Sequence, residues 1–434
     1  MGLSLLIQQK IILTSIGSLG DLHPFIAIGI ELQRRGYTPI LAVPADHVEK
    51  ASAAGLQAVA VLPSFETIQQ RMGLTAAEAV TRIMADQNFL LDEVLIPWVA
   101  TGARALDDIA YDVVAIVGSL FMFAAPIIAA KRRIPLISVV LQPMTMFSAY
   151  RPPRTPDFRL LRGTPANRIE RAWNRLIYAG MRRVLRARYA ATIDAVRAEH
   201  GLGSSGDAIL FDPGGVPVLT LGCYSPAFGP LMPDAPPSAR IVGFPIYDAE
   251  SGVVGVSDPR LDAFLAAGPP PVVFTLGSLA VAAAGRFYEN AALAVRQLGL
   301  RAVLLVGDQE SLQSSPDVHV AAYAPHSTLF PRCSAIVHHG GVGTTGQALR
   351  AGKPQLVVPH MGDQNDNARR IDDMGVGRTL KLKDFDPARA ATAIAHLLAD
   401  SKTRQTAMRS GEIERSMDGA RNAASEIDRA LHEL

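Results

Sequence analysis

The chain has 434 residues, 49% of them hydrophobic and 19% charged, with a formal net charge of +2. That length exceeds one ordinary core and predicts two domains, while the composition excludes a disordered chain. The near-neutral balance makes no global case for nucleic acid or membrane, and two distant cysteines, Cys223 and Cys333, make neither a disulfide framework nor a zinc pattern.

Met1 to Ile7 is followed by Gln8-Gln9-Lys10, with no basic leader and no small-residue cleavage site, so no signal peptide is expected and a reducing cytoplasm fits. A strand is predicted over 10–15. It runs into Gly17-Ser18-Leu19-Gly20-Asp21-Leu22-His23-Pro24, and a helix over 24–35 and a strand over 38–43 follow. Val113 to Ala130 is uncharged and near the length of a membrane span, but Gly118-Ser119 and Pro126 break it. It reads as a strand over 113–117, a loop and a buried helix at about 122–131, with a further strand over 136–141. Strands and helices alternating through short loops predict a parallel doubly wound sheet.

Between Arg151 and Arg188 fall eleven arginines, opposed only by Asp157 and Glu170. Ile169, Trp173, Ile177 and Val184 keep helical spacing, which predicts an amphipathic helix with a basic outer face. A solvated surface helix is the plain reading. Peripheral contact with an anionic membrane, at its inner face, is the alternative. From Tyr224 to Pro271 prolines and glycines are dense and patterning lapses, as in an interdomain connection. A second alternating series then predicts strands over 272–276, 301–306, 318–322, 334–337 and 355–358, with helices over 285–298 and 343–351. A last amphipathic helix is predicted at about 411–433. The expected domains are 1–240 and 241–410, with the terminal helix (about 411–434) packing back on the first.

Residues 335–370 carry the strongest chemistry. An apolar strand enters His339-Gly340-Gly341-Val342-Gly343-Thr344, a helix follows, and a second strand ends at Pro359 before Asp363-Gln364. Gly-rich turns let backbone approach a diphosphate, and a helix start adds unpaired N–H groups and the positive end of its dipole. Asp363 and Gln364 offer acceptors and donors for sugar hydroxyls. In open parallel sheets ligands lie beyond the carboxyl ends of strands, so the loop around Asp21 is expected to face the same cleft. Asp21 reads either as a general base or as a cap of the helix that follows, and His23 is the competing base. Asp384-Phe385-Asp386 spells a metal-binding Asp-x-Asp. Asp386-Pro387, however, reads as an N-cap and first helical residue, so no metal and no other cofactor is expected.

These motifs resemble those of the family-one, nucleotide-sugar-dependent glycosyltransferases of the GT-B fold. The resemblance spans nearly the whole chain but is specific at a few places. It implies an α/β, GT-B architecture of two doubly wound Rossmann-like domains facing across a cleft. It implies inverting, metal-independent hexosyl transfer. His339, Gly341, Gly343 and Thr344 would hold the diphosphate, with Ser278 of Thr275-Leu276-Gly277-Ser278 touching it. Asp363 and Gln364 would hold the sugar. Tyr323-Ala324-Pro325-His326 resembles the family's Trp-x-Pro-Gln segment, so Tyr323 would stack on the base, while His326 departs from the family's Gln. Many relatives place a His base where Asp21 stands and pair it with an Asp. The corresponding Gly118–Phe121 stretch has no carboxylate, consistent with a carboxylate base acting alone.

Acceptor walls are expected from Phe121, Met122, Phe123, Gln142, Met144, Phe147 and Tyr150. Their mostly apolar character suits a hydroxyacyl lipid, polyketide or flavonoid. The spelling Asp363-Gln364-x-Asp366-Asn367-Ala368-Arg369 resembles bacterial rhamnosyltransferases of rhamnolipid and flavonoid type and points to dTDP-rhamnose, with UDP-glucose open. A sugar-nucleotide epimerase of related fold and a non-catalytic nucleotide-sugar-binding protein are the rival readings. The first would need no acceptor pocket, and the second would be expected to lose Asp21.

Overall fold

The computed structural model describes residues 9–211, 217–248, 258–307 and 312–433. The start of the chain, and with it the expectation about a leader, lies outside these. Two parallel sheets form. The first has seven strands: β1 (Lys10–Thr14), β2 (Thr38–Pro44), β3 (Gln57–Leu62), β4 (Val113–Ser119), β5 (Leu136–Val140), β6 (Leu219–Gly222) and β7 (Ala239–Ile241). The second has six: β8 (Val272–Thr275), β9 (Ala302–Leu305), β10 (Val318–Ala321), β11 (Ala335–His338), β12 (Gln355–Val357) and β13 (Gly377–Thr379). Their orders are β3-β2-β1-β4-β5-β6-β7 and β10-β9-β8-β11-β12-β13. Both sheets therefore reverse direction beside their first strand, between β1 and β4 and between β8 and β11. Crevices open at such switch points, beyond the carboxyl ends of the strands. The Gly17–Asp21 loop leaves β1, Thr275–Ser278 leaves β8 and His339–Thr344 leaves β11, so topology alone brings the three candidate loops to the two crevices.

The apolar run at 113–130 resolves into β4 and the helix Ala124–Arg132, and among the described residues no helix is long and apolar enough to cross a membrane. Four expectations need correcting. The first helix starts at Leu19, not Pro24, because Ser18 caps it and the Ser18 N–H in turn donates to Asp21 Oδ2. The proline-rich stretch is not merely a connection. β7 pairs with β6, and Tyr224 and Phe228 are fully buried. The terminal segment is two helices, Ser401–Ser416 and Gly419–His432, broken where Asp418 caps the second and a Cβ on Gly419 would lie 2.4 Å from the Phe244 carbonyl carbon. The basic segment is a 32-residue helix, Arg168–Glu199, whose buried side carries Asn174, Tyr178, Tyr189 and Val196. Ile169, Trp173 and Val184 instead face solvent.

The last helix lies along the helix Leu19–Arg34. Arg35 donates to Ser425 Oγ at 2.7 Å, Tyr37 to Asp428 Oδ1 at 2.7 Å, and Asn422 to the Val242 carbonyl at 2.9 Å. Ala423, Ala424 and Ile427 join Leu22, Ile26, Val342 and Leu349 in one buried cluster. The core therefore crosses from one sheet's helices to the other's and fixes the two facing loops relative to each other.

Candidate active site

Two helix starts meet at the cleft. One begins at Leu19 behind Ser18. The other, Val342–Ala351, begins behind Gly341, which offers no side-chain cap. A Cβ on Gly343 would lie 3.8 Å from Gly20 Cα. The uncapped N–H groups of the second helix are thus presented to the cleft, next to the first helix, as an anion site requires.

The turn between β11 and this helix is held from beneath. His338 Nε2–H donates to Gln355 Oε1 at 2.9 Å, and its Nδ1 accepts from the Gly340 N–H at 3.1 Å. Burial holds its pKa down, at about 4, so it is a neutral post of fixed tautomer. Gly340 has φ +90, and a Cβ there would lie 2.8 Å from Val357 Cγ1. The position admits only glycine on both grounds. His339 is buried between two further glycines. A Cβ on Gly341 would lie 2.3 Å from its Nε2, and one on Gly277 2.8 Å from its Cε1. Its Nδ1 is buried and makes no well-formed hydrogen bond. Burial, then the neighbouring His338, His360 and His326, push its pKa well below the usual value, against a smaller raising effect of the nearby Thr275 backbone. His339 is therefore a neutral imidazole with unspent hydrogen-bonding capacity, wedged between the β8 and β11 loops. Thr344 is buried in the first turn of the helix, and Ser278 is exposed in the short helix Gly277–Ala280.

Asp21 stands in the first turn of its helix. Its Oδ2 accepts from Ser18 N–H at 2.9 Å and Ser18 Oγ–H at 3.3 Å, and Gln142 Nε2 approaches its Oδ1 at 3.5 Å. Burial raises its pKa to about 6 against the lowering effect of those bonds. Asp363 lies opposite. Its Oδ2 accepts from Asn367 Nδ2 at 2.7 Å, and the same amide donates to the Gly340 carbonyl at 2.9 Å. Burial raises Asp363 to about 7, with Asn367 lowering it and the Asp21 charge raising it. Two carboxylates from different sheets are thus within electrostatic reach of each other, both shifted upward. Such pairs, with environments that tune them, mark sites of acid–base chemistry. Gln364 is partly spent on structure. Its Oε1 accepts from the His360 and Met361 N–H groups at 2.9 and 3.1 Å, which leaves its amide nitrogen for a ligand.

Other expected residues sit apart. His23 meets Tyr247 edge-on at 5.6 Å, and its Nε2 is buried without a partner. Burial first, then Lys50, brings its pKa to about 4, a far weaker base than Asp21. Tyr323 donates its hydroxyl to Asp248 Oδ1 at 2.9 Å, and Asp248 also accepts from the Ser327 N–H. His326 stacks on Phe330 at 4.3 Å. Of the acceptor candidates, only Gln142 touches Asp21. Met144 is buried, and Phe121 packs against the core. Phe123 lines a separate apolar cleft with Leu120, Ile193, Ile209 and Leu210. Tyr150 lies under the guanidinium groups of Arg171 and Arg175, at 5.0 and 5.8 Å from its ring centre. Asp386 caps the helix Pro387–Ala399, Asp384 pairs with Arg389 at 2.6 Å, and Phe385 stacks on Phe287 at 4.6 Å. Sequence reading missed Asp248, Asn367 and His338. Only the Ser18-x-x-Asp21 spacing was a readable local signal, that of a capping box.

A family model described as Erythromycin biosynthesis protein CIII-like, C-terminal domain, matches residues 302–433. The chain is 30% identical over 429 residues to the vancomycin aglycone glucosyltransferase of Amycolatopsis orientalis, covering 96% of each chain. It is 26% identical over 431 residues to the O-mycaminosyltylonolide 6-deoxyallosyltransferase of Streptomyces fradiae, covering 97% of each. Among solved structures it shares its fold with the calicheamicin glycosyltransferase CalG4, at a TM-score of 0.71 and 20% identity over 99% of this chain and 100% of that one. It likewise matches the spinosyn rhamnosyltransferase SpnG complexed with thymidine diphosphate, at 0.65 and 19% identity over 97% and 100%. Two parallel sheets with facing switch-point loops, and a full-length match at this identity, place the chain in one family: it belongs to the family-one GT-B glycosyltransferases of the EryCIII-like type.

Proposed function

We propose that the chain transfers a hexose, with inversion and without a metal, from a nucleoside diphosphate sugar to a hydroxyl of a small hydrophobic acceptor. The observation that carries this reading is the meeting of Asp21 with the uncapped helix behind Gly341. The first removes the acceptor proton as the new bond forms. The second, with His339, takes up charge on the departing diphosphate. Asp363 and the Gln364 amide nitrogen hold the sugar between them. The family's usual aspartate partner for a histidine base is not needed, since Ser18 and Gln142 orient Asp21 and burial tunes it. An epimerase would have no use for a base on the acceptor side of the cleft.

For the donor we favour dTDP-rhamnose, on the spelling Asp363–Arg369 and the likeness to a deoxyhexosyltransferase and to a thymidine diphosphate complex. UDP-glucose is the second reading, favoured by the glucosyltransferase relative. Initial rates with both donors, measured with a flavonoid or hydroxyacyl acceptor and excess chelator, decide both points. Rhamnose transfer is expected to lead and to survive the chelator. UDP-glucose ahead by tenfold or more (about 1.4 kcal/mol) overturns the donor, and an enzyme inactive in chelator overturns metal independence.

His339→Ala is expected to weaken free dTDP or UDP itself by about 1.5–3 kcal/mol, the cost of a lost hydrogen bond to a charged group. Calorimetry with the free nucleotides checks it. Unchanged affinity for both removes His339 from the diphosphate site.

A further inference from the structure

The long helix Arg168–Glu199 carries an apolar ridge on the side opposite its packed face. Ile169 is 81% exposed, Trp173 43%, Leu176 63% and Val184 63%. At 1.5 Å per residue the ridge runs about 22 Å. Trp173 is held in place, its Nε1–H donating to the Leu160 carbonyl at 2.8 Å, and Leu160 beside it is 68% exposed. Along one flank of the ridge stand the exposed Arg168, Arg183 and Arg186, none in an ion pair among the described residues. A soluble helix normally turns such residues inward. Here the inward side is taken by groups that hold the 147–150 segment. Tyr178 donates to the Ser148 carbonyl at 3.2 Å, Asn174 to the Ala149 carbonyl at 3.1 Å, and Phe147 stacks on Phe211 at 4.3 Å.

We infer that this ridge docks on an anionic lipid surface. Apolar side chains with an interfacial tryptophan, flanked by arginines, are what a helix lying in the headgroup region presents. Charge decides among occupants. Of the eleven arginines over Arg151–Arg188, Arg151 and Arg154 pair with Asp373 and Arg188 with Asp92, while Arg168, Arg183 and Arg186 beside the ridge are in no ion pair among the described residues, so this face keeps an excess of positive charge in a chain of net charge +2. A second copy would bring the same positive stripe against itself across a two-fold axis, which repels. Nucleic acid would use the arginines but leave the ridge uncovered. An anionic bilayer satisfies both, at about 1 kcal/mol per basic residue near the surface. Docking through the ridge leaves the underside of the helix, which holds residues 147–150, turned toward the protein one helix diameter, roughly 10 Å, from the bilayer surface. The inference stands whichever sugar is transferred.

Co-sedimentation of the full chain with vesicles tests it. Binding is expected to phosphatidylcholine mixed with phosphatidylglycerol and not to phosphatidylcholine alone, and it should weaken as salt is raised. The triple variant Arg168→Gln, Arg183→Gln, Arg186→Gln should bind about a hundredfold more weakly. Ile169→Ser with Leu176→Ser should lose about tenfold or more. Trp173 fluorescence should shift to the blue on the anionic vesicles in a Trp98→Phe background. All these positions except Trp98 are exposed, so circular dichroism and transfer to a water-soluble acceptor should not change in the arginine and ridge variants. Absence of co-sedimentation makes this a solvated helix and overturns the inference. So does vesicle binding that both variants retain, and so does a dimer, seen by light scattering, that the ridge variant dissolves while vesicles are not bound.

Discussion

Replacing Asp21 by asparagine is expected to lower turnover by about two to four powers of ten, the usual loss for a general base, with dTDP and UDP affinity nearly intact. Asparagine keeps an oxygen for the Ser18 N–H, so the helix start survives and the loss reports chemistry rather than folding. The pH profile gives an independent reading. A base works deprotonated, and Asp21 is raised to about 6 by burial. The wild-type rate should therefore fall about tenfold per unit below that pH. Asp363, raised to about 7 in part by the Asp21 charge, titrates in the same window, so the limb belongs to the pair. In the asparagine variant the neighbouring charge is gone, Asp363 ionises more easily, and the residual limb should move to lower pH. Stability has the opposite sign from the common carboxylate case. A folded-state pKa above the unfolded value of 3.8 means that the ionised form costs stability above that value, and protonation through about pH 6 relieves it. The variant should then unfold no earlier than wild type at neutral pH. Wild-type turnover in the variant would reduce Asp21 to the acid of a capping box and leave His23 as the candidate, against its burial.

Much of this site could be read in the sequence because its chemistry is local. The Gly-rich turn after β11 and the Gly-Ser-x-Gly-Asp turn after β1 each follow an apolar run, and the doubly wound pattern sends both to a switch point. What escaped reading is non-local or double-valued. Ser18-x-x-Asp21 reads both as a loop ending in a candidate base and as the first turn of a helix, and it is the Ser18 N–H donating to Asp21 Oδ2 that establishes the helix start. Asn367 is a plain helix residue until its amide is seen bridging Asp363 and the Gly340 carbonyl. Asp248 lies in a proline-rich stretch with no pattern, yet it braces Tyr323 and Ser327. The long helix misled for a physical reason. Apolar spacing predicts a buried stripe only when burial is what the apolar residues are for, and here Asn174 and Tyr178 supply the packed face through bonds to backbone far away in sequence.

The second large effect is structural and follows from the same kind of long-range contact. Asp366 and Arg370, one turn apart on the helix Gln364–Met374, form an ion pair at 2.6 Å with both side chains almost wholly buried. Each also reaches the other half of the molecule. Arg370 Nη1 donates to the Phe228 carbonyl at 3.0 Å, and Asp366 Oδ1 accepts from the Arg154 N–H at 3.0 Å. Arg154 adds an ion pair to Asp373. The helix that begins at Asp363-Gln364, the pair proposed to hold the sugar, is thus clamped to the half of the molecule that carries Asp21. Removing one member of a buried pair leaves the other charge without compensation, at about 3–5 kcal/mol, whereas removing both costs far less. Arg370→Met is expected to lower the thermal unfolding midpoint by that loss. Asp366→Asn together with Arg370→Met removes both charges, keeps an acceptor for the Arg154 N–H, and should recover most of it. Thermal melts of the wild type, the single and the double variant measure the difference. If the clamp sets the distance between the two loops, transfer falls in Arg370→Met even at temperatures where it is folded, while free-nucleotide binding, made within one domain, persists. A single variant as stable as wild type would show the pair to be a bystander, and the shared core of Val342, Leu349 and Ile427 would then alone hold the cleft in register.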